Sequence, residues 1–219
     1  MTPSPLRRTA LLQLAVDVLS TEEALELARA VYPHFDILEV GTPLILEQGL
    51  SALEALRGAC PGKRYLADLK IMDAGRLEAS SGFRRGADIV TVLGAADDRT
   101  VRGALDAAGE YGGEVMADLI NVADPAARVR RLEEMGVHLL CVHTAHDVTE
   151  SGGSPLRELV EVRSVTRCPV AVAGGLDLRS VGLAVRAGAD ILVVGSAITR
   201  NPDPAGAARA FQRQMEAVS

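Results

Sequence analysis

Short apolar runs alternate with longer amphipathic stretches from one end of the chain to the other. The apolar runs fall at 11–18, 36–40, 64–70, 89–93, 114–120, 138–143, 170–173 and 191–194. Most carry few polar residues, as parallel strands covered on both faces should. The stretches between them repeat their apolar positions at helical spacing. They predict helices over 20–31, 43–57, 76–85, 97–111, 125–135 and 180–187, one opening at 155, and a last one over 204–215. Capping chemistry supports several of these starts. Ser20 with Glu23 forms a capping box, and Asp97 opens a helix. Asp124-Pro125 and Ser154-Pro155, the latter with Glu158 behind it, combine a cap with a proline at the first helical position. Gly-Ala-Asp precedes a strand at 86–88 and again at 188–190, with Gly136-Val137-His138 as a looser copy. Each puts a glycine where a helix must end before a strand begins.

Eight such β–α units in 219 residues leave about 27 residues per unit. That predicts an α/β fold, a single-domain (β/α)8 TIM barrel over 10–219, with residues 1–9 as a flexible N-terminal arm. A doubly wound open sheet would want a glycine-rich loop after the first strand, and Asp17-Val18-Leu19-Ser20 is not one.

Composition narrows the function. The charge is −6 and aromatic residues make up 3% with no Trp, which argues against nucleic acid or an anionic membrane as partner. No apolar run approaches ~20 residues, so no membrane span is expected. Arg7-Arg8 before a short apolar stretch resembles a leader, but Gln13 and Asp17 interrupt it. Cys60, Cys141 and Cys168 form no CxxC pair and read as small buried hydrophobes in a reducing, cytoplasmic setting.

In a barrel of this kind chemistry sits at the carboxyl ends of the strands. There the sequence offers Asp17, Glu39, Asp68 with Lys70, Asp73 in the following loop, Asp118, His143, Gly174-Gly175 and Gly195-Ser196. Asp68 and Lys70 are two apart, which in a regular strand puts them on one face. Four carboxylates at one mouth would repel; Lys70 offsets one, and an oxygen-bound hard cation, Mg²⁺ before Zn²⁺, would offset more. The late glycines suit close approach of a phosphate. Structural readings stand beside these. Asp17 alone reads as a helix cap, Asp68–Lys70 as an ion pair, and His143 as a satisfied strand-end histidine. Glu39 is harder to dismiss, because it ends an apolar strand with no helix start beside it. His34 and His138 read as structural or exposed, and Arg128, Arg130 and Arg131 as a solvated helix face.

Asp68-Leu69-Lys70-Ile71-Met72-Asp73 resembles the D-x-K-x-x-D signature of the orotidine-monophosphate decarboxylase suprafamily. The resemblance runs from about 11 to 215. Within the suprafamily it is closest to the 3-hexulose-6-phosphate synthases, through 14–17, Glu39–Leu44, Thr91–Gly94, Asp118–Ile120, Val142–Thr144, 172–175 and Val194-Gly195. It implies an aldehyde-lyase that condenses formaldehyde with D-ribulose 5-phosphate through a 1,2-enediolate. Glu39 and Asp68 would hold Mg²⁺. Lys70 would stabilise charge and Asp73 would orient Lys70, the latter from a neighbouring subunit of a homodimer. His143 would transfer the proton. Asp17 and Asp118 would hold substrate hydroxyls, and Gly174, Gly175, Gly195 and Ser196 the phosphate. The alternative is decarboxylation of 3-keto-L-gulonate 6-phosphate on the same scaffold. Asp118, His146 and Ser196 stand where that branch typically carries Glu, Arg and Arg, and all three differences favour the synthase. A catalytically silent barrel is a third reading, disfavoured by the cost of so many buried charges.

Overall fold

The computed structural model describes residues 10–150 and 153–218, so the arm expected at 1–9 lies outside the described residues. Eight parallel strands form a closed barrel in chain order: β1 (Leu11–Val16), β2 (Ile37–Val40), β3 (Arg64–Ile71), β4 (Ile89–Leu93), β5 (Glu114–Asp118), β6 (Leu139–His143), β7 (Val170–Ala173) and β8 (Ile191–Val194). β8 pairs with β1 and closes the ring. The helices are α1 (Thr21–Val31), α2 (Thr42–Gln48), α3 (Ser51–Ala59), α4 (Gly75–Arg84), α5 (Asp98–Tyr111), α6 (Pro125–Glu134), α7 (His146–Glu150), α8 (Leu156–Val165), α9 (Val181–Arg186), α10 (Ser196–Thr199) and α11 (Pro204–Glu216). The single-domain barrel expected from the pattern is the fold observed. Among the described residues no helix is long and apolar enough to cross a membrane.

Period-two alternation sorts each strand's residues between two cores. Outward residues such as Leu12, Leu14, Leu38 and Val40 pack against the helices. Inward residues such as Ile37, Leu66, Ile89, Met116, Leu139 and Ile191 fill the barrel itself. The interior is therefore solid below the mouth, and only its upper end can hold chemistry.

The barrel floor explains the motif that precedes the strands. Asp88 accepts the Tyr65 N–H at 2.8 Å and Asp190 accepts the Val170 N–H at 2.8 Å. Asp36 does the same for Leu12, and His138 Nδ1 takes the Val115 N–H at 3.1 Å. Each even-numbered strand is thus preceded by an acceptor that ties down the start of the odd-numbered strand before it. Arg57 and Arg163 pair with Asp88 and Asp190 and hold those carboxylates in place.

Helix starts follow the sequence signals closely. The Ser20, Asp97 and Asp124 side chains accept from Glu23 N, Arg99 N and Ala127 N. Other expectations need correction. The helix expected over 43–57 is two helices, because Gly49 at φ +67° ends α2. The first strand stops at Val16 rather than 18, and the fifth at Asp118 rather than 120, where the Asp118 carboxylate takes the Ile120 N–H and turns the chain. The one-turn helices α7 and α10 were not anticipated, being too short to show a period. Arg128 is no solvated residue. It donates to Gly94 O, Ala96 O and Asp98, and so braces the loop after β4.

Candidate active site

The upper inward positions of neighbouring strands converge on one pocket. Glu39 comes from β2, Asp68 and Lys70 from β3, Thr91 from β4, Asp118 from β5 and His143 from β6. The Gln13 amide lines the same pocket from β1. Met116, Cys141, Ala173 and Val193 supply its apolar lining.

Asp68 and Lys70 reach this mouth together, but not through regular alternation. The β3–β4 register shifts between Ala67 and Ile71, and Lys70 lies at φ +47°. A non-glycine residue there costs on the order of 1 kcal/mol. Thr91 holds the kink: its Oγ1 accepts the Lys70 N–H at 2.9 Å and lies 2.9 Å from Asp68 Oδ1 as donor. Thr42 Oγ1 lies 2.7 Å from the other oxygen, Asp68 Oδ2. The result places Lys70 Nζ 2.8 Å from Asp68 Oδ2 and 3.2 Å from Asp118 Oδ2. Burial works against the ammonium, but Asp68 and Asp118 outweigh it and hold Lys70 charged, well above its usual range.

Asp118 is saturated with partners. Oδ2 lies 2.8 Å from His143 Nδ1, and Oδ1 accepts the Ile120 N–H at 2.9 Å. Burial alone would raise this carboxyl, but the His143 hydrogen bond and the His143 and Lys70 charges keep it below the usual carboxylate range. Asp118 was expected to hold substrate hydroxyls. Its side chain is only 3% exposed; it lines the pocket and engages Lys70, His143 and the Ile120 N–H there.

Glu39 is the least compensated of the carboxylates. Burial, then Asp68, then Asp17 push it up to about 8, against the hydrogen bond from Gln13 and the Lys70 charge. Asp17, also crowded, is raised by burial and by Asp68. The carboxylate of Asp17 is no helix cap, since Ser20 fills that role. It lies over the end of β2, where a Cβ at Gly41 would come within 2.0 Å of Asp17 Oδ1.

The glycine pairs lie at the ends of β7 and β8. Gly174 (φ +103°) passes so close to Thr144 that a Cβ would meet its carbonyl oxygen at 2.4 Å. Gly195 precedes α10, whose first residue, Ser196, is exposed. Asp73 is exposed and accepts the N–H of Ala74 at 2.7 Å; the ion pairs of Lys70 within the chain are to Asp68 and Asp118, not to Asp73.

Sequence reasoning named the charged residues and missed Gln13, Thr42 and Thr91, which hold them. Gln13 and Thr91 had a signal: each is a lone polar residue at an inward position of an otherwise apolar strand. Thr42 precedes a proline at a helix start and carried no separate signal.

The family model of the orotidine 5'-phosphate decarboxylase / HUMPS family matches residues 10–211. A 3-hexulose-6-phosphate synthase from Methylomonas aminofaciens is 45% identical over 200 residues, covering 91% of this chain and 96% of that one. The crystal structure of 3-hexulose-6-phosphate synthase from Salmonella typhimurium superposes with a TM-score of 0.93 at 42% identity, over 95% of this chain and 100% of that one. The crystal structure of KGPDC from Streptococcus mutans in complex with D-R5P gives 0.91 at 27% identity, over 96% and 99%.

Proposed function

The chain belongs to the orotidine 5'-phosphate decarboxylase / HUMPS family, and on that premise we propose that it is an aldehyde-lyase joining formaldehyde to D-ribulose 5-phosphate. The product is D-arabino-hex-3-ulose 6-phosphate, and the reaction is reversible. One observation carries the reading: Lys70 sits between Asp68 and Asp118, and Asp118 in turn holds His143, at the open end of a barrel 45% identical to a 3-hexulose-6-phosphate synthase.

The residues act as follows. Asp118 fixes the imidazole through Nδ1 and leaves Nε2 of His143 to take the C1 proton of the ketose. The electron pair left behind forms the C1=C2 bond and the C2 carbonyl pair moves onto its oxygen, giving a 1,2-enediolate whose charge the Lys70 ammonium offsets. C1 then adds to the carbonyl carbon of formaldehyde, and the new alkoxide takes its proton back from His143. Asp17 holds sugar hydroxyls at the rim. Backbone N–H groups at Gly174, Gly175, Gly195 and Ser196 hold the phosphate.

The donor set fits a hard divalent cation. Asp17, Glu39 and Asp68 crowd one another with a single ammonium, Lys70, among them, and that excess of negative charge is what such an ion relieves. The pocket's one thiol, Cys141, is pushed up by burial and stays protonated, and Met116 beside it offers only a neutral thioether, so the ligands are oxygens. Glu39 and Asp68 would hold Mg²⁺, which when bound supplies Lewis-acid stabilisation of the developing oxyanion charge. The assembly proposed is a cytoplasmic homodimer in which Asp73 reaches Lys70 of the second copy.

The test is formaldehyde consumption by the purified protein with ribulose 5-phosphate, first with Mg²⁺ and then with EDTA. Mg²⁺-dependent loss with appearance of a hexulose phosphate supports the proposal. No loss by a folded protein, with release of CO₂ from 3-keto-L-gulonate 6-phosphate instead, overturns it in favour of the decarboxylase.

A further inference from the structure

We propose that Gln13 is a positioning residue: its amide N–H pins one oxygen of Glu39 so that the other is presented to a divalent cation at the barrel mouth. The inference rests on the metal reading of the site given above. Gln13 is 1% exposed and stands inward on β1 between Leu12 and Leu14. Its register partners on either side are Ile37 and Val193, both apolar. Gln13 Nε2 donates to Glu39 Oε2 at 2.6 Å. In the ionised form that binds a cation Glu39 only accepts, so the amide presents its nitrogen to it. The amide oxygen, Oε1, is buried and has no hydrogen-bond partner among the described residues.

That combination is hard to explain as packing. A leucine would fill similar space in this apolar layer and leave no orphaned acceptor. The amide is retained at a cost, and the contact it makes is with Glu39. The terminal torsion of a glutamate is broad, so an unrestrained carboxylate would rotate. Ala15, level with Glu39 in the register, is too small to restrain it. Fixing Oε2 from below sets the plane of the group and leaves Oε1 to bind an ion. Being neutral, the amide does this without competing with the ion for charge.

The test uses the full chain, freed of metal, with Mn²⁺ as a spectroscopic probe of binding. Gln13→Leu removes the unsatisfied acceptor but also the donor to Glu39, so the variant should stay folded with a metal-free unfolding midpoint close to or somewhat below that of the unsubstituted protein. Its Mn²⁺ affinity should fall by about 10–100-fold, the usual consequence of losing a group that orients a ligand. A folded Gln13→Leu protein that binds Mn²⁺ undiminished overturns the proposal. Gln13→Met serves if the leucine variant does not fold, and failure of both to fold would make Gln13 a structural residue and also overturn it. Glu39→Gln separates the two readings. If it binds Mn²⁺ as tightly as the unsubstituted chain, the metal assignment itself fails, whatever Gln13 does.

Discussion

His143 Nδ1 lies 2.8 Å from Asp118 Oδ2, and Asp118 is held below the usual carboxylate range. An ionised partner on Nδ1 fixes both the tautomer and the ring orientation of the imidazole. The same oxygen lies 3.2 Å from Lys70 Nζ, so one buried carboxylate sets the base and the cation together. Asp118→Asn keeps the shape and removes the charge. The kcat should fall by about 10²–10⁴-fold, the range of a general base. Exchange of the C1 proton of ribulose 5-phosphate into deuterated water without formaldehyde, followed by NMR, should fall in parallel. Unchanged exchange would place the base elsewhere.

Thr91 links the backbone kink at Lys70 to the carboxylate of Asp68 through one hydroxyl. Thr91→Val conserves volume but leaves a buried N–H and a carboxylate oxygen short of a partner. The expected loss is about 1–3 kcal/mol of stability by denaturant titration. Thr91→Ser, which keeps the hydroxyl, should recover most of it. Equal loss in both variants would show that the methyl group, not the hydroxyl, matters.

How far the sequence could be read follows from the same residues. The barrel was legible because eight apolar runs and their caps repeat one local problem. The charged set at the mouth was legible because carboxylates and lysine at apolar strand ends demand a reason. The kink at Lys70 was not, since a lysine carries no local signal for a left-handed backbone. Thr91, on the adjacent strand, holds it. Asp73 was assigned to Lys70 of a second subunit, and within one chain Lys70 pairs with Asp68 and Asp118. The tripeptides before the strands showed their glycines but not that their last residues tie strand pairs at the barrel floor.

Glu39 gives the metal-free protein a pH dependence of known sign. Its carboxyl is pushed from 4.5 up to about 8 in the fold, by burial first and then by Asp68 and Asp17. Below the lower value it is neutral folded or unfolded and contributes nothing. As pH rises through this window the unfolded chain ionises first, so stability falls, by a few kcal/mol at most. Unfolding midpoints without metal should therefore drop between about pH 5 and pH 8, and Glu39→Gln should flatten the drop. The stabilisation conferred by added Mg²⁺ should grow over the same window. A flat profile in the unsubstituted protein would show that Glu39 ionises freely.

Gly41 keeps open the space that Asp17 occupies. A Cβ there would come within 2.0 Å of Asp17 Oδ1 and 2.8 Å of the Val16 carbonyl oxygen. Its φ of −66° suits any residue, so the restriction is one of close approach and not of backbone strain. Gly41→Ala should push the Asp17 carboxylate away from the rim, with a small shift of the end of β1 to clear the Val16 carbonyl oxygen. If Asp17 holds the sugar by a charge-assisted hydrogen bond, KM for ribulose 5-phosphate should rise by about 10–100-fold. Asp17→Asn should weaken binding in the same direction. Substituting both should add little to either alone, because the two changes act on one contact. Fully additive effects, measured as KM in the double-mutant cycle, would mean that Gly41 shapes the mouth by a route that does not pass through Asp17.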